Sequence, residues 1–370
     1  MKDYNNSLIH KIALTKISGI GYITAKLLLN HFGTAENVFS ASKKQILSIP
    51  TIGNQIADHI LSAHPEELAK ESLTYLNNHQ EVIPLFYTDS NYPQRLKHHG
   101  NSPLLLYTSG NANFNHNRTV AIIGTRNCTE YGTLQCEKLI EGLNEYGVQI
   151  ISGLAYGIDA CAHRKSVELG IDNIAVLGSG IDNLYPSSHS TLAQKIKKKG
   201  GIISQFDFKT GPDRQNFPIR NQVVSAMSDV VVVIQSKKSG GSMITAEYAN
   251  NMNKDVFALP GRTTDEVSEG CNNLIKQHKA HLLQDAKDIG YIMRWEPQEK
   301  IESQMRLFEQ LDTNEREIVD ELKNKEALDI DSLHILLKRP LSQLSSELLT
   351  LEFKGIVKSF RGTKGMEDEG

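Results

Sequence analysis

Residues 119–126, Thr-Val-Ala-Ile-Ile-Gly-Thr-Arg, decide the fold: an uninterrupted aliphatic run stops at a glycine bend, and the same pattern returns along the chain. Aliphatic runs recur at TVAIIG (119–124), VQIISG (148–153), NIAVLG (173–178), GIISQF (201–206), VVVVIQ (230–235) and DVFALP (255–260), with helix-length intervals between several of them. Strands that are apolar at every position are buried on both faces, which requires a mostly parallel sheet covered by helices. The reading is an α/β fold, a Rossmann-like doubly wound sheet. Ligands of such sheets collect beyond the carboxyl ends of the strands. Glycine bends stand at those ends: GTR (124–126), SGLAYGID (152–159), VLGSG (176–180), SGGSMITAE (239–247) and LPG (259–261). Several open into helical patterns, where backbone N–H groups and a helix N-terminus converge on an anion. The anion expected is a phosphate.

Outward from this domain, residues 1–64 read as short helices joined by glycine turns. Ile17-Ser18-Gly19-Ile20-Gly21 leads into one helix, and Ile49-Pro50-Thr51-Ile52-Gly53 repeats the design with Thr51 in place of a glycine. Two such units resemble helix-hairpin-helix motifs, whose turns bring backbone amides to a DNA phosphate. A bundle that only packs on the next domain is the other reading, since few lysines or arginines surround the turns. Residues 65–290 are taken as the extended Rossmann-like domain. It is prefaced by two short strands, VIPLFY and PLLLYTSG, bounded by Pro, Asn and Gly. A polar linker at 291–310 leads to a unit at 311–370 with helices at 315–324, 330–338 and 341–355 and a short strand at 356–362. That succession is winged-helix-like, although Ser342, Gln343, Ser345, Ser346 and Glu347 give its third helix no arginine for reading a groove.

Composition removes several classes. With 370 residues, 39% of them apolar, the chain can fill two or three domains. Cys128, Cys136, Cys161 and Cys271 form no CxxC pair, so neither a zinc knuckle nor a disulfide framework is expected. His98 and His99 are adjacent and do not share a helix face, so no metal site is assigned. Neither an N-terminal signal segment nor a run of 18 apolar residues is present, which predicts a cytoplasmic chain without a membrane span. The net charge of -3 argues for no polyanion, but a local basic groove is compatible with it.

Within the central domain, Gly124, Thr125 and Arg126 combine a tight turn, a hydroxyl donor and a planar guanidinium suited to phosphate. No GxGxxG follows the strand and no GxxxxGK[ST] occurs, which disfavours NAD, FAD and phosphate-loop chemistry. Ser152, Gly153 and Gly157 shape the second bend. Asp159 suits the start of the following helix, and His163, four residues on, shares its face as a possible acid/base partner. In PDRQNFPIRNQVVSAMSD (212–229), Pro212 and Pro218 keep the approach extended and Arg220-Asn221 begins a helix. An arginine there calls for an anion, either a phosphate or an internal carboxylate. Lys237, Lys238, Ser239, Gly240, Gly241 and Ser242 precede another helix and offer N–H groups with two cations nearby. The cluster KIKKKG (195–200) ends a helix, where lysine is favoured in any case.

Taken in order, VAIIGTRNCTEYG, SGLAYGIDACAH, AVLGSGIDNLYP, FPIRNQVVSAMSD, SGGSMITAEYA and ALPGRTTDEVSEGCNNLI resemble the bacterial DNA-processing protein A (Smf) family over roughly 80–285. The resemblance implies a non-catalytic protein without cofactor. Such a protein binds single-stranded DNA through the Rossmann-like domain, loads RecA recombinase onto it in natural transformation and recombination, and forms a homodimer. On that pattern Gly124, Thr125 and Arg126 match a phosphate-contacting GSR bend. Ser152, Gly153 and Gly157 match SGLARGID, with Tyr156 where an arginine is common. Arg220 and Asn221 match RNR, with Gln222 for the second arginine, and Gly241 and Ser242 match SGSLITA. Gln235 stands where a glutamate is frequent. The opposing reading is a nucleotide phosphoribohydrolase, with Ser239-Gly240-Gly241 and Glu247 in the place of its PGG turn and glutamate.

Overall fold

A computed structural model of the chain describes residues 6–298, 312–324, 328–353 and 357. Contacts divide the chain into two units, Met1–Trp295 and Glu296–Gly370. The first opens with six helices, α1 (Asn6–Lys16), α2 (Tyr22–Phe32), α3 (Ala35–Ser40), α4 (Lys43–Leu47), α5 (Asn54–Leu61) and α6 (Pro65–Asn78). Side chains start two of the short ones: Thr34 accepts the Asn37 N–H at α3, and Ser42 with Gln45 forms a capping box at α4. Helices α2 and α5 start instead at the bare glycines Gly21 and Gly53, as expected for paired hairpin turns. Gly19 sits at φ 79° and Thr51, its counterpart in the second hairpin, at φ 76°. The second turn thus holds the same left-handed geometry with a β-branched residue, for which that region is costly.

This bundle shares one core with the edge of the sheet. Ile12, Leu28, Ile46, Ile60 and Leu76 are packed in the same apolar cluster as Val82, Phe86 and Tyr107. Three of its lysines face the sheet domain, while Lys43, Lys44 and Lys70 are exposed. The Lys16 ammonium lies 2.6 Å from Asp207, and Lys11 lies 2.7 Å from Asp89. Lys26 donates to the carbonyls of His99 and Gly100 and to Ser102 at 3.2, 2.8 and 2.5 Å, and burial pushes its pKa down to about 8. Lys11, Lys16 and Lys26 thus bolt the helical region to the loops of the sheet domain.

Nine strands follow: β1 (Val82–Phe86), β2 (Leu105–Gly110), β3 (Thr119–Ile123), β4 (Gln149–Ser152), β5 (Asn173–Val176), β6 (Gly201–Ser204), β7 (Val230–Val233), β8 (Asp255–Ala258) and β9 (His281–Leu282). They form one sheet in the order β1-β2-β6-β5-β4-β3-β7-β8-β9. Pairs β1–β2 and β2–β6 are antiparallel, and every other pair is parallel. The two strands read as a preface therefore extend the sheet itself, and the short edge strand β9 has no counterpart in the aliphatic pattern because both its residues are exposed.

The intervening helices are α7 (Gln94–Lys97), α8 (Glu130–Asn144), α9 (Ile158–Leu169), α10 (Ser190–Lys199), α11 (Asn216–Met227), α12 (Gly241–Asn251), α13 (Glu269–Lys276) and α14 (Ala286–Met293). Alternation along β3 distributes them. Ala121 and Ile123 pack with Val223 and Val224 of α11 and Ala246 and Ala249 of α12, while Val120 and Ile122 pack with Leu139 of α8, Cys161 of α9 and Ile289 of α14. Both faces are covered, as the continuous aliphatic runs require. Strand β3 has β4 on one side and β7 on the other, so the winding reverses between β3 and β7 and the loops leaving them diverge.

The second unit holds α15 (Thr313–Asn324), α16 (Ile330–Leu337) and α17 (Leu341–Phe353) around Ile318, Val319, Leu333, Leu344 and Leu351. Arg339, in the turn before α17, bonds Glu317, Glu347 and the Asn314 carbonyl. The three helices agree with a winged-helix-like unit. The strand expected at 356–362 lies, apart from Val357, outside the described residues. No helix among the described residues is long and apolar enough to cross a membrane.

Thr51→Gly removes a left-handed penalty of about 1–2 kcal/mol against an entropic cost of about 0.5–1 kcal/mol. The expected result is a small rise in thermal midpoint, read by calorimetry, and a fall in midpoint contradicts the assignment of strain.

Candidate functional site

A cleft of about 400 Å³ opens at this switch point. Its walls are the bend after β3 (Gly124, Thr125, Arg126), the start of α12 (Gly240, Gly241, Ser242) and one side of α11 (Phe217, Arg220, Asn221), with Asp159 and Lys237 also lining it. The β3 bend is pinned from β7. The Thr125 N–H donates to the Gln235 carbonyl at 2.7 Å, the Thr129 N–H to Gln235 Oε1 at 2.9 Å, and Gln235 Nε2 to Thr129 Oγ1 at 2.9 Å. A buried glutamine with donor and acceptor ends makes both side-chain bonds; an ionised glutamate lacks the donor. Thr125 Oγ1 accepts from Asn127 N–H at 3.2 Å, which leaves its O–H to donate.

Arg126 is exposed, with its guanidinium carbon 5.1 Å from the centre of the Phe217 ring. No carboxylate among the described residues pairs with it, and the ring holds its plane while leaving the N–H edges free. At the other wall, α12 begins at Gly240 without a side-chain cap, and a side chain at Gly241 would meet nothing within 4 Å. Orphan N–H groups at a helix start carry the positive end of the dipole. The Asn221 amide reaches the Gly241 carbonyl at 3.4 Å. Ser242 is oriented by a 2.7 Å bond from its hydroxyl to Ser236 Oγ.

Behind the cleft stands a buried polar assembly. Arg220, only 5% exposed, gives Nη1 to the carbonyls of Gly153 and of Val176, the latter at 2.7 Å, and Nε to Asn221 at 3.0 Å. Asp159 accepts the Gly153 N–H at 3.2 Å. The two charges therefore grip opposite sides of one glycine residue, and a Cβ on Gly153 would lie 2.0 Å from Arg220 Nη1. Burial raises the Asp159 pKa, opposed by Arg220 and by backbone N–H groups of Ala155 and Gly153. Gly157, at φ 76°, abuts the β3 bend; a Cβ there would fall 2.2 Å from the Thr125 carbonyl.

Other expectations land differently. Arg220 does not open its helix, which begins at Asn216, and its bonds go to the backbone carbonyls of Gly153 and Val176 and to Asn221 rather than to a carboxylate. Ser152 is fully buried, its hydroxyl spent on the Ile122 carbonyl at 2.6 Å, and Gly153 gives its amide to Asp159, so neither lines the cleft. Lys237 bonds Glu266 at 2.8 Å and Lys238 lies 4.0 Å from Glu269, which drains the field expected of them. The Asp159–His163 acid/base pair is not formed: His163 bonds Asn173 at 2.9 Å, and burial pushes its pKa down to about 4. Tyr156 is exposed, with its hydroxyl 3.1 Å from Ser188. Glu247 lines a neighbouring depression with Met243 and Lys279, not the cleft. Phe217 was missed as a site residue; its only signal was an aromatic three positions before Arg220.

The DNA recombination-mediator protein A family matches residues 84–294, and a SAM-like helix-hairpin-helix tandem matches residues 11–64. Protein Smf from Synechocystis is 32% identical over 76% of this chain and 71% of its own length. The crystal structure of DNA processing protein A from Streptococcus pneumoniae superposes with a TM-score of 0.66 at 30% identity, covering 78% of this chain and 98% of that one. DNA processing protein A from Helicobacter pylori, whose structure addresses its single-stranded DNA binding mode, gives a TM-score of 0.53 at 28% identity over 58% of this chain and 98% of that one.

Two outcomes follow from the buried groups. Arg220→Met leaves Asp159 without its compensating charge and costs about 3–5 kcal/mol in urea unfolding, whereas Arg126→Ala stays within about 0.5 kcal/mol. His163, depressed from 6.5 to about 4, contributes stability that is complete above pH 6.5 and is lost as pH falls toward 4. The loss is on the order of 3 kcal/mol, and His163→Gln flattens that part of the stability profile.

Proposed function

Because the chain belongs to the DNA recombination-mediator protein A family, we propose that it binds single-stranded DNA without sequence preference and loads RecA recombinase onto it during recombination and natural transformation. The observation that carries the site assignment is the pairing, across one cleft, of an exposed guanidinium at Arg126 with the uncapped N-terminus of α12. Both recognise phosphate oxygens, which carry no sequence information. Thr125, Arg126, Asn221, Gly241 and Ser242 contact the sugar-phosphate chain. Gly124 and Gly157 allow the bend its shape, and Ser152, Gly153 and Arg220 hold the sheet ends behind it. Lys237 and Lys238 reach the strand once released from Glu266 and Glu269. The exposed Tyr156 gives a base an aromatic face on which to stack, worth about 1–3 kcal/mol.

The role is binding rather than turnover. A phosphoribohydrolase reading needs an arginine with its glutamate at the glycine turn, and the depression that Glu247 lines with Ser239 and Gly240 has no arginine in its lining. The chain acts in the cytoplasm as a homodimer, a state read by light scattering of the purified protein.

Anisotropy titration with labelled oligo-dT and a matched duplex at two salt concentrations tests the assignment. The single strand binds preferentially and loses affinity as salt rises. Arg126→Ala weakens it about tenfold, the loss of one charge-assisted bond of about 1.5 kcal/mol, and lowers the salt slope by about 0.7. An unchanged affinity in the folded variant removes Arg126 from the site.

A further inference from the structure

A cavity of about 170 Å³ lies on the far side of α11 from the cleft. Phe217, Arg220 and Asn221 line the cleft, whereas Ile219, Gln222, Val223 and Ala226 line this cavity, and at about 3.6 residues per turn the two sets fall on opposite faces of the helix. Tyr22 of α2, the loop from His99 to Pro103, Gln205 beyond β6 and Met252 beyond α12 close it. Two lysines tie these walls in place. Lys26 holds the loop through its bonds to His99, Gly100 and Ser102, and Lys254 donates to the carbonyl of Ala226 at 2.7 Å and to that of Ser228. The cavity therefore has its shape before any ligand enters.

Its lining selects the ligand. None of the side chains around it is a carboxylate, a lysine or an arginine, so a charged ligand would enter without a countercharge. Leu96, Pro103, Val223, Ala226 and Met252 make apolar walls, and Gln205, Gln222 and Asn101 bring amides. The Gln205 Nε2 is buried and has no hydrogen-bond partner among the described residues. A donor desolvated in this way costs about 1–3 kcal/mol, which an acceptor on a ligand offsets. At about 30 Å³ per water the space equals about six waters, and it falls below the roughly 300–1,000 Å³ of sites for drug-sized molecules. It suits one flat ring system and not a whole nucleotide.

We propose that this cavity binds an uncharged nucleobase, its ring between the apolar walls and its hydrogen-bonding edge at the Gln205 and Gln222 amides. A base carries donors and acceptors along one edge, and a glutamine amide offers one of each in return. Gln222 stands where the RNR pattern has its second arginine, and a guanidinium there would fill the space and bring an unpaired charge. The base arrives either free or as part of a strand that passes from the cleft round α11, and the same groups receive it. Binding of a free base does not depend on the DNA reading; the strand source does.

The test is calorimetric titration of the full-length chain with adenine, cytosine and thymine, none of which carries a phosphate. At least one is expected to bind one-to-one with a Kd of about 1 mM or tighter. Gln205→Leu weakens it about tenfold and leaves the thermal midpoint unchanged or raised, because the free protein loses no hydrogen bond from Nε2. Gln222→Arg abolishes binding, and Arg126→Ala, across α11, leaves it intact. No binding by any of the three bases, or binding unchanged by Gln205→Leu, overturns the site. Competition assigns the source. If the base belongs to the strand, the free base displaces labelled oligo-dT and Gln205→Leu weakens oligonucleotide binding; if it is a free base, oligo-dT binding is indifferent to both. A chain that binds a base and no oligonucleotide sinks the DNA reading and leaves the cavity assignment standing.

Discussion

The site depends on Arg220 and Asp159 being buried together. Each charge alone behind the sheet would carry a desolvation penalty of several kcal/mol. Together, and with backbone groups filling their remaining valences, they fasten α11 to the ends of β4 and β5 and the start of α9 to the same glycine. The strands fix the height of the bends, but this assembly fixes their lateral position. With α9 held, Ile158 and Gly157 support the Thr125 and Arg126 backbone from beneath, so the exposed guanidinium rests on a frame whose parts have no freedom to shift singly.

A second constraint is the allocation of cations. Of the basic residues near the two hairpins, Lys11, Lys16 and Lys26 are spent on the sheet and its loops, and Lys43 is paired with Asp58 at 2.5 Å. At the cleft, Lys237 and Lys238 face acidic partners, and Arg126 is left without one. A chain of net charge -3 thus binds a polyanion, on our reading, through one free guanidinium and helix-terminal N–H groups, which carry positive potential without adding formal charge. Dipoles of this kind fall off within a turn. Affinity then requires the phosphate to enter the cleft, and long-range attraction contributes little.

How much of this was legible follows from what each residue does. The aliphatic runs announced the parallel sheet because burial on two faces leaves no polar alternation, and the glycine bends announced the cleft because strand ends and helix starts meet there. Thr125, Arg126, Gly241 and Ser242 were named from local pattern and the family motifs, and they line the cleft because loop and helix start place them there. Ser152 and Gly153 carried the same kind of signal and yet stand behind the wall, and Arg220 lines the cleft while its bonds go to carbonyls behind it. A motif reports that a residue is constrained, and a buried strut is as constrained as a ligand. Which it is depends on partners far along the chain: Ile122 for Ser152, Gly153 and Val176 for Arg220. The antiparallel addition of β1 and β2 was hidden for the same reason, because strand order is set by pairing and not by the strand's own residues.

The Gln235 position shows how a single polar side chain joins these levels. Its two side-chain bonds to Thr129 and the bond from its carbonyl to Thr125 tie the β7 end to both ends of the β3 bend. Divergence of the loops at the switch point opens the cleft, and an untethered bend would let it collapse or widen. A glutamate at this position would keep the acceptor but lose the donor, and would set a negative charge under the phosphate path. The amide therefore serves both tasks at once: it satisfies a buried cap without charge, and it leaves the potential of the cleft to Arg126 and α12.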